Sequence, residues 1–185
     1  MRKNLGPKSV LYPEPVLVVC SYDEKGVADA MVAAWGGLSD TNEVHLCLSH
    51  THKTVDNILK KKEFTVLAAT KKYEKECDYL GMVSGHDEPN KITKCGLHVV
   101  KAKKVNAPII KELPFAVECV LKKYDKKTGH LYASIVNVSV DESILTDNKV
   151  DMKKFEPIVF DGLTNKYHVV GKSVGDAFKD YKKIK

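Results

Sequence analysis

Arginine is almost missing from this chain: Arg2 is the only one, and the rest of its 30 basic residues are lysines. Lysine is a point charge without the planar fork that reads guanine or grips a phosphate through two parallel bonds. The lysines are also scattered in pairs and triplets such as Lys60–Lys62, Lys71-Lys72 and Lys122-Lys123, the pattern of solvated faces, so no nucleic-acid partner is expected. Long apolar runs are missing too. The longest, Ala30 to Trp35, is far short of the roughly 20 residues that span a bilayer, and no membrane partner is expected. Near the start, Arg2 and Lys3 are followed by Pro13 and Pro15, and Val16 to Cys20 is too short for the apolar core of a signal peptide. The five cysteines, at 20, 47, 77, 95 and 119, are odd in number and contain no C-x-x-C or zinc-finger spacing. Neither a disulfide framework nor a structural zinc site is expected, and the chain reads as reduced and cytoplasmic. G-x-G-x-x-G, the P-loop and G-x-S-x-G are all absent, which removes the common dinucleotide and triphosphate cradles and the usual serine nucleophile.

What is present is ordinary globular material. The chain has 185 residues, 43% of them hydrophobic and 29% charged, with a net charge of +6, and reads as a single domain spanning 1–185. Short β-branched, apolar runs recur between turns. Val16 to Tyr22 and Val27 to Trp35 flank Asp23-Glu24-Lys25-Gly26; Val44 to Leu48 and Phe64 to Ala69 follow; Pro114 to Tyr124 and His130 to Val140 form the clearest hairpin. Leu97 to Lys103, Pro157 to Phe160 and Tyr167 to Val170 add shorter strands, and Ala107-Pro108 reads as a break. Val55, Ile58 and Leu59 give an apolar stripe on a helix from about Lys53 to Lys61, with Thr51 as its expected N-cap and lysines at its C-terminal end. Tyr73 to Leu80 reads as a second short helix and Glu88 to Lys94 as one or two helical turns. The expected fold class is mainly β with short helices: a β-barrel core with helical decorations.

Three segments carry candidate chemistry. Met31-Val32-Ala33-Ala34-Trp35-Gly36-Gly37 has little side chain to hold a flat ligand away from its backbone, although from these residues alone a tight turn with a core tryptophan is the favoured reading. Leu48-Ser49-His50-Thr51-His52-Lys53-Thr54 runs a strand end into a helix N-terminus, where free amides and the dipole favour an anion, unless simple capping accounts for the hydroxyls. His45, His50 and His52 lie close in sequence, but no carboxylate or cysteine completes a familiar metal set. Ser84-Gly85-His86-Asp87 reads as a turn or as the cradle of a small anion.

In this order the segments resemble the flavin reductase-like, FMN-binding split-barrel family, in particular its flavoredoxin branch. Tyr12-Pro13-Glu14-Pro15-Val16 is similar to the family's proline-flanked first strand. Ala28 to Trp35 resembles its Asn-x-Met-x-x-Ala-Trp strand, Ser49 to Leu59 its phosphate turn and helix, and Gly81 to Asp87 its Gly-x-Val-Ser-Gly-Arg-Asp loop. Lys104 to Ile110, Ala116 to Cys119 and Pro157 to Gly162 match in the same order. The resemblance implies a split β-barrel homodimer with FMN near the interface, NADH or NADPH as hydride donor, and a downstream acceptor such as a redox protein. Carried over by position, it puts Met31, Val32, Ala33, Ala34, Trp35 and Gly36 along the isoalloxazine and Ser49, His52, Lys53 and Thr54 on the phosphate. Ser84, Gly85 and His86 become a neighbouring wall and Tyr167 a cover. No catalytic side chain is implied, because hydride passes directly between stacked rings. The family often carries arginine where His52 and His86 stand and asparagine where Asp29 stands; a histidine there makes an anion contact pH-dependent.

Overall fold

The computed structural model describes residues 1–184. In chain order its strands and helices are β1 (Glu14–Pro15), β2 (Leu17–Tyr22), β3 (Ala28–Ala33), β4 (Gly36–Asp40), β5 (Glu43–Cys47), α1 (Lys53–Lys61), β6 (Glu63–Ala68), α2 (Glu74–Met82), α3 (Lys91–Lys94), β7 (Val99–Lys101), β8 (Pro108–Ile110), β9 (Phe115–Tyr124), β10 (His130–Val140), β11 (Leu145–Thr146), β12 (Lys149–Val150), α4 (Met152–Phe155), β13 (Ile158–Asp161) and β14 (Lys166–Val169). Seven of them form one antiparallel sheet in the order β3-β2-β6-β9-β10-β5-β4.

The connection from β3 to β4 shows what shape that sheet takes. Laid flat, seven strands would be about 29 Å across. Yet β3 and β4, at opposite edges, are joined only through Ala34 and Trp35, a span of about 10 Å at most. The sheet therefore curls until its edges nearly meet, and the Cys47 amide, donating to the Trp35 carbonyl at 2.8 Å, carries the β4–β5 pairing on into the two-residue link. Two register shifts in the β9–β10 pairing, at Tyr132/Ala133 and Ile135/Asn137, mark bulges of the kind that bend long strands into a barrel. The barrel is split, as expected from the sequence.

Side-chain alternation divides the core in two. Val19, Met31, Leu46, Phe64, Cys119 and Leu131 fill the barrel interior, which α1 closes with Val55 and Ile58. Val18, Cys20, Ala30 and Leu67 point outward from the same strands and are covered by Cys77 and Leu80 of α2 and Ile92 of α3. The run Val16 to Cys20 is apolar throughout because both of its faces are buried. Glu118, fully buried, accepts from the Lys104 and Val105 amides and from Asn137 Nδ2, which fixes the loop between β7 and β8 to the barrel wall.

Several elements depart from the sequence expectation. Gly36-Gly37, expected to close the strand from Val27 to Trp35, instead opens a strand of its own, Gly36–Asp40. The Ala107-Pro108 break is instead the start of β8, a short strand on a two-stranded edge where a missing amide does little harm. The small hairpin β11–β12 and helix α4 carry no periodicity long enough to read. The N-cap of α1 is His52, not Thr51, whose hydroxyl instead bonds Ser49 Oγ at 2.9 Å.

Candidate functional site

Four segments meet at a cavity of about 250 Å³ along the free edge of β3. Asp29, Met31 and Val32 come from β3, and His52, Lys53 and Thr54 from the start of α1. Leu80 to Gly85 comes from the end of α2 and the loop after it, and Lys91 from α3. The structure thus gathers seven of the expected residues, from three distant parts of the chain: Met31, Val32, His52, Lys53, Thr54, Ser84 and Gly85.

The entrance to α1 is an uncapped helix start. His52 holds an extended backbone and makes no side-chain cap, so the Lys53 and Thr54 amides have neither a helical acceptor nor a capping oxygen. Together with the helix dipole and the Lys53 ammonium they form a donor set suited to an anion. Partial desolvation and the Lys91 ammonium lower the His52 pKa, Asp29 offsetting part of the shift. Ser84 Oγ accepts from the His86 amide at 3.1 Å, which leaves its proton to donate. Gly85 has no room for anything larger: a Cβ there would stand 2.3 Å from Asp29 Oδ1.

At the base of the cavity lies a buried charged group that sequence reasoning missed. Thr54 Oγ1 donates to Asp29 Oδ2 at 2.5 Å, and the Lys91 Nζ donates to the carbonyls of Leu80 (3.0 Å) and Val83 (2.7 Å) while standing 3.6 Å from Asp29 Oδ1. Burial lowers the Lys91 pKa and Asp29 opposes that shift. Thr54 therefore offers the cavity its amide, its hydroxyl being engaged below. Lys91 was hidden in the sequence among many lysines; the one clue was the acid at position 29, which needs a buried cation.

The remaining expected residues lie nearby or apart. His86 lines a small adjoining cleft with Lys53 and Gly85, its Nε2 3.6 Å from Asp56 Oδ2. Ala33 points into the barrel interior. Ala34, Trp35 and Gly36 line a second cleft of about 440 Å³ with Leu11, His45 and Cys47. Trp35 is not a core tryptophan: 57% of its surface is exposed. Gly36 is small because Leu46 and Leu17 press on it, a Cβ there meeting Leu46 Cδ2 at 2.5 Å. Ser49 is exposed beside the start of α1, where its Oγ accepts the Thr51 amide. Tyr167 is not at the cavity: its hydroxyl donates to Asp78 of α2 at 2.8 Å in a separate cleft, and burial with that carboxylate pushes its pKa up to about 12. His45 pairs with His130, Nε2 to Nδ1 at 2.7 Å, rather than with His50 or His52. Among the described residues no three His, Cys, Asp or Glu side chains are placed to hold a metal ion. All five cysteines are free; burial pushes the thiols of Cys77 and Cys119 up to about 12 and that of Cys20 higher still. No described helix is long and apolar enough to cross a membrane.

The flavin reductase-like domain model matches residues 9–160, which includes every segment of the cavity. The chain belongs to the flavin reductase-like family. Among solved structures it is similar to the flavoredoxin of Desulfovibrio vulgaris (Miyazaki F), with 31% identity and a TM-score of 0.92 over 97% of this chain and 98% of that one. It shares 24% identity and a TM-score of 0.88 with the flavoredoxin of Methanosarcina acetivorans over the full length of both chains. An FMN-binding domain of a flavin reductase-like enzyme from Shewanella baltica has the same fold, with 16% identity and a TM-score of 0.80 over 88% of this chain and 89% of that one. No curated protein matches the chain in sequence. The flavoredoxin-type split barrel is thus the fold of this family member.

Proposed function

We propose that the chain, as one domain spanning 1–185, binds FMN and works in the cytoplasm as a homodimeric NAD(P)H-dependent FMN reductase. The observation that carries this reading is the cavity itself, in a chain of this family: an uncapped helix start and a glycine-tight loop converge beside the strand that the family uses for its flavin. The donor set fits the phosphate. The Lys53 and Thr54 amides, the Lys53 ammonium, the His52 imidazole and the Ser84 hydroxyl would hold it, with His86 and Gly85 as the outer wall. About 250 Å³ accommodates a phosphate and part of its chain but not a three-ring heterocycle. β3 supplies the continuation: Val32 faces the first cavity and Ala34 the second, so a flavin would run along this strand from one to the other. Bound there, FMN supplies a carrier that takes up electrons as a hydride and hands them on. The chain's own share is to position: the backbone of Val32 to Gly36 gives a flat wall, and the exposed Trp35 gives an apolar surface at the mouth of the second cleft.

The 31% identity to a flavoredoxin supports a second reading, an electron carrier that keeps FMN permanently and receives electrons from a redox protein without using NAD(P)H directly. One experiment separates the two. The visible spectrum of the purified protein is recorded before and after NADH or NADPH is added without oxygen. Flavin bands that bleach support the reductase, bands that persist support the carrier, and a protein that neither contains nor takes up FMN refutes both.

A further inference from the structure

The cleft at Leu11 and Trp35, where the ring end of the flavin would lie, is short of positive charge. Its lining holds no lysine or arginine, in a chain that carries 30 of them. Its one carboxylate, Glu14, is buried, with Oε1 taken by the Leu11 amide at 3.2 Å. Lys53 and Lys91 line the first cavity, at the phosphate end. The only side chain lining the ring cleft that can become a cation is His45. It lies on β5 between Val44 and Leu46, which point into the barrel, so it faces outward. Its partner across the ladder is Gly37 of β4, which puts no side chain over the imidazole.

On its other side His45 meets β10. His45 Nε2 and His130 Nδ1 stand 2.7 Å apart with the rings stacked, and the Tyr132 ring lies 4.8 Å from that of His45. In the neutral pair one imidazole donates its N–H to the other, and a proton added at either outer nitrogen is shared by two rings. Among the described residues no carboxylate pairs with either imidazole. Glu43 is taken by Lys122 and Ser39, and Asp125, in the turn before His130, accepts the Lys127 amide. Cys47, beside His130 on the ladder, donates its thiol to the Thr128 carbonyl, and Lys123 stands beyond Tyr132. Burial, followed by the charge His130 would carry, lowers the His45 pKa, so the pair stays neutral while nothing anionic is beside it.

We propose that the His45–His130 pair takes up one proton when a flavin ring in this cleft is reduced, and so supplies the positive charge that the cleft otherwise lacks. The balance is as follows. A hydride carries two electrons and one proton to a neutral ring and leaves it with one negative charge. The second proton comes from solvent and stays on the pair. A negative charge that appears beside a neutral imidazole favours its protonated form, and in a cleft with no other cation that attraction is not shared. Acid thereby makes the bound flavin easier to reduce. The inference rests on the flavin reading above, and it holds for the reductase and for the carrier alike.

The test is the midpoint reduction potential of the full-length protein at saturating FMN, followed from pH 7 upward by equilibration with redox dyes. A two-electron couple shifts by about 30 mV per pH unit for each proton taken up, so the parent should fall by about 60 mV per unit near neutrality and His45→Gln by about 30. His130→Gln keeps the imidazole that lines the cleft and should keep the steeper slope. Urea unfolding confirms that both variants are folded. Equal slopes in the parent and His45→Gln overturn the proposal and leave the flavin reading standing. A steep slope kept by His45→Gln but lost in His130→Gln overturns the placement of the proton at the cleft. A second readout is the proton NMR titration of the His45 ring, assigned by its loss in His45→Gln, which should move to higher pH in the reduced protein. A ring that titrates alike in both states overturns the proposal. A protein that neither contains nor takes up FMN overturns the flavin reading, and this inference with it.

Discussion

The Lys91 ammonium stands 3.6 Å from Asp29 Oδ1, with both side chains almost wholly out of water, and that oxygen makes no hydrogen bond. The relationship ties α3 to β3 directly beneath the proposed phosphate turn. It also balances charge: the buried carboxylate at the base of the cavity is matched by a cation held on two backbone carbonyls. Where the family often has a neutral asparagine, this chain has an acid, and the structure shows its buried counter-ion.

Removing one member of the pair should cost far more than removing both. Lys91→Met leaves the Asp29 carboxylate buried and unbalanced, at about 3–5 kcal/mol of folding stability. Asp29→Asn/Lys91→Met keeps the shape without either charge and should recover most of that loss. Urea unfolding of the two variants and of Asp29→Asn checks the cycle. Additive losses would mean that the two groups do not act as a pair.

Thr54→Val tests what the hydroxyl does. Its bond to Asp29 Oδ2 lies below the cavity, so the change should lower stability by about 1–3 kcal/mol, from the acceptor left without its partner. FMN affinity should fall only modestly, since the Thr54 amide remains. A large loss of affinity at full stability, read by flavin titration and urea unfolding together, would return the hydroxyl to the phosphate.

Gly85 is constrained from inside the site. A methyl group at this position would come within 2.3 Å of Asp29 Oδ1, and Asp29 is fixed by Thr54 and Lys91. Gly85→Ala should therefore push the loop outward, weaken FMN binding by roughly tenfold or more and cost about 1–3 kcal/mol. Gly37→Ala is the control, because nothing lies within 4 Å of a Cβ there.

Much of this was legible in the sequence, for reasons that particular residues make plain. The long hairpin and the helix from Lys53 were readable because Asp125 to Gly129 and the stripe of Val55, Ile58 and Leu59 are local patterns. The segments that build the cavity were found as separate motifs, and the curl of the sheet brought them together. What stayed hidden depends on contacts between distant parts of the chain. β4 begins at a glycine whose size is set by Leu46 and Leu17, and Lys91 is told apart from the other lysines only by its burial against Asp29. Tyr167 looked like a cover for the site because position along the chain was the guide; its hydroxyl instead meets Asp78.

The last prediction concerns acid. His45 and His130 share a hydrogen bond at 2.7 Å with their rings stacked, and burial, followed by the charge His130 would carry, lowers the His45 pKa from its ordinary 6.5. His52 is lowered as well, by desolvation and by Lys91. A histidine whose folded pKa lies below its unfolded value takes up a proton more readily when unfolded. The stability it contributes is complete above pH 6.5 and is lost as pH falls below it. The chain should therefore unfold at lower urea at about pH 5.5 than at pH 7.5. His130→Gln, which keeps a hydrogen-bonding partner for His45 but cannot be protonated, should remove part of that loss. Binding of an anion at α1 favours protonated His52, so FMN should also recover stability at the acid end, and His52→Gln should abolish that recovery. A pH profile of the urea midpoint with and without FMN measures all three, and a midpoint that rises toward acid would contradict the assignment of both histidines.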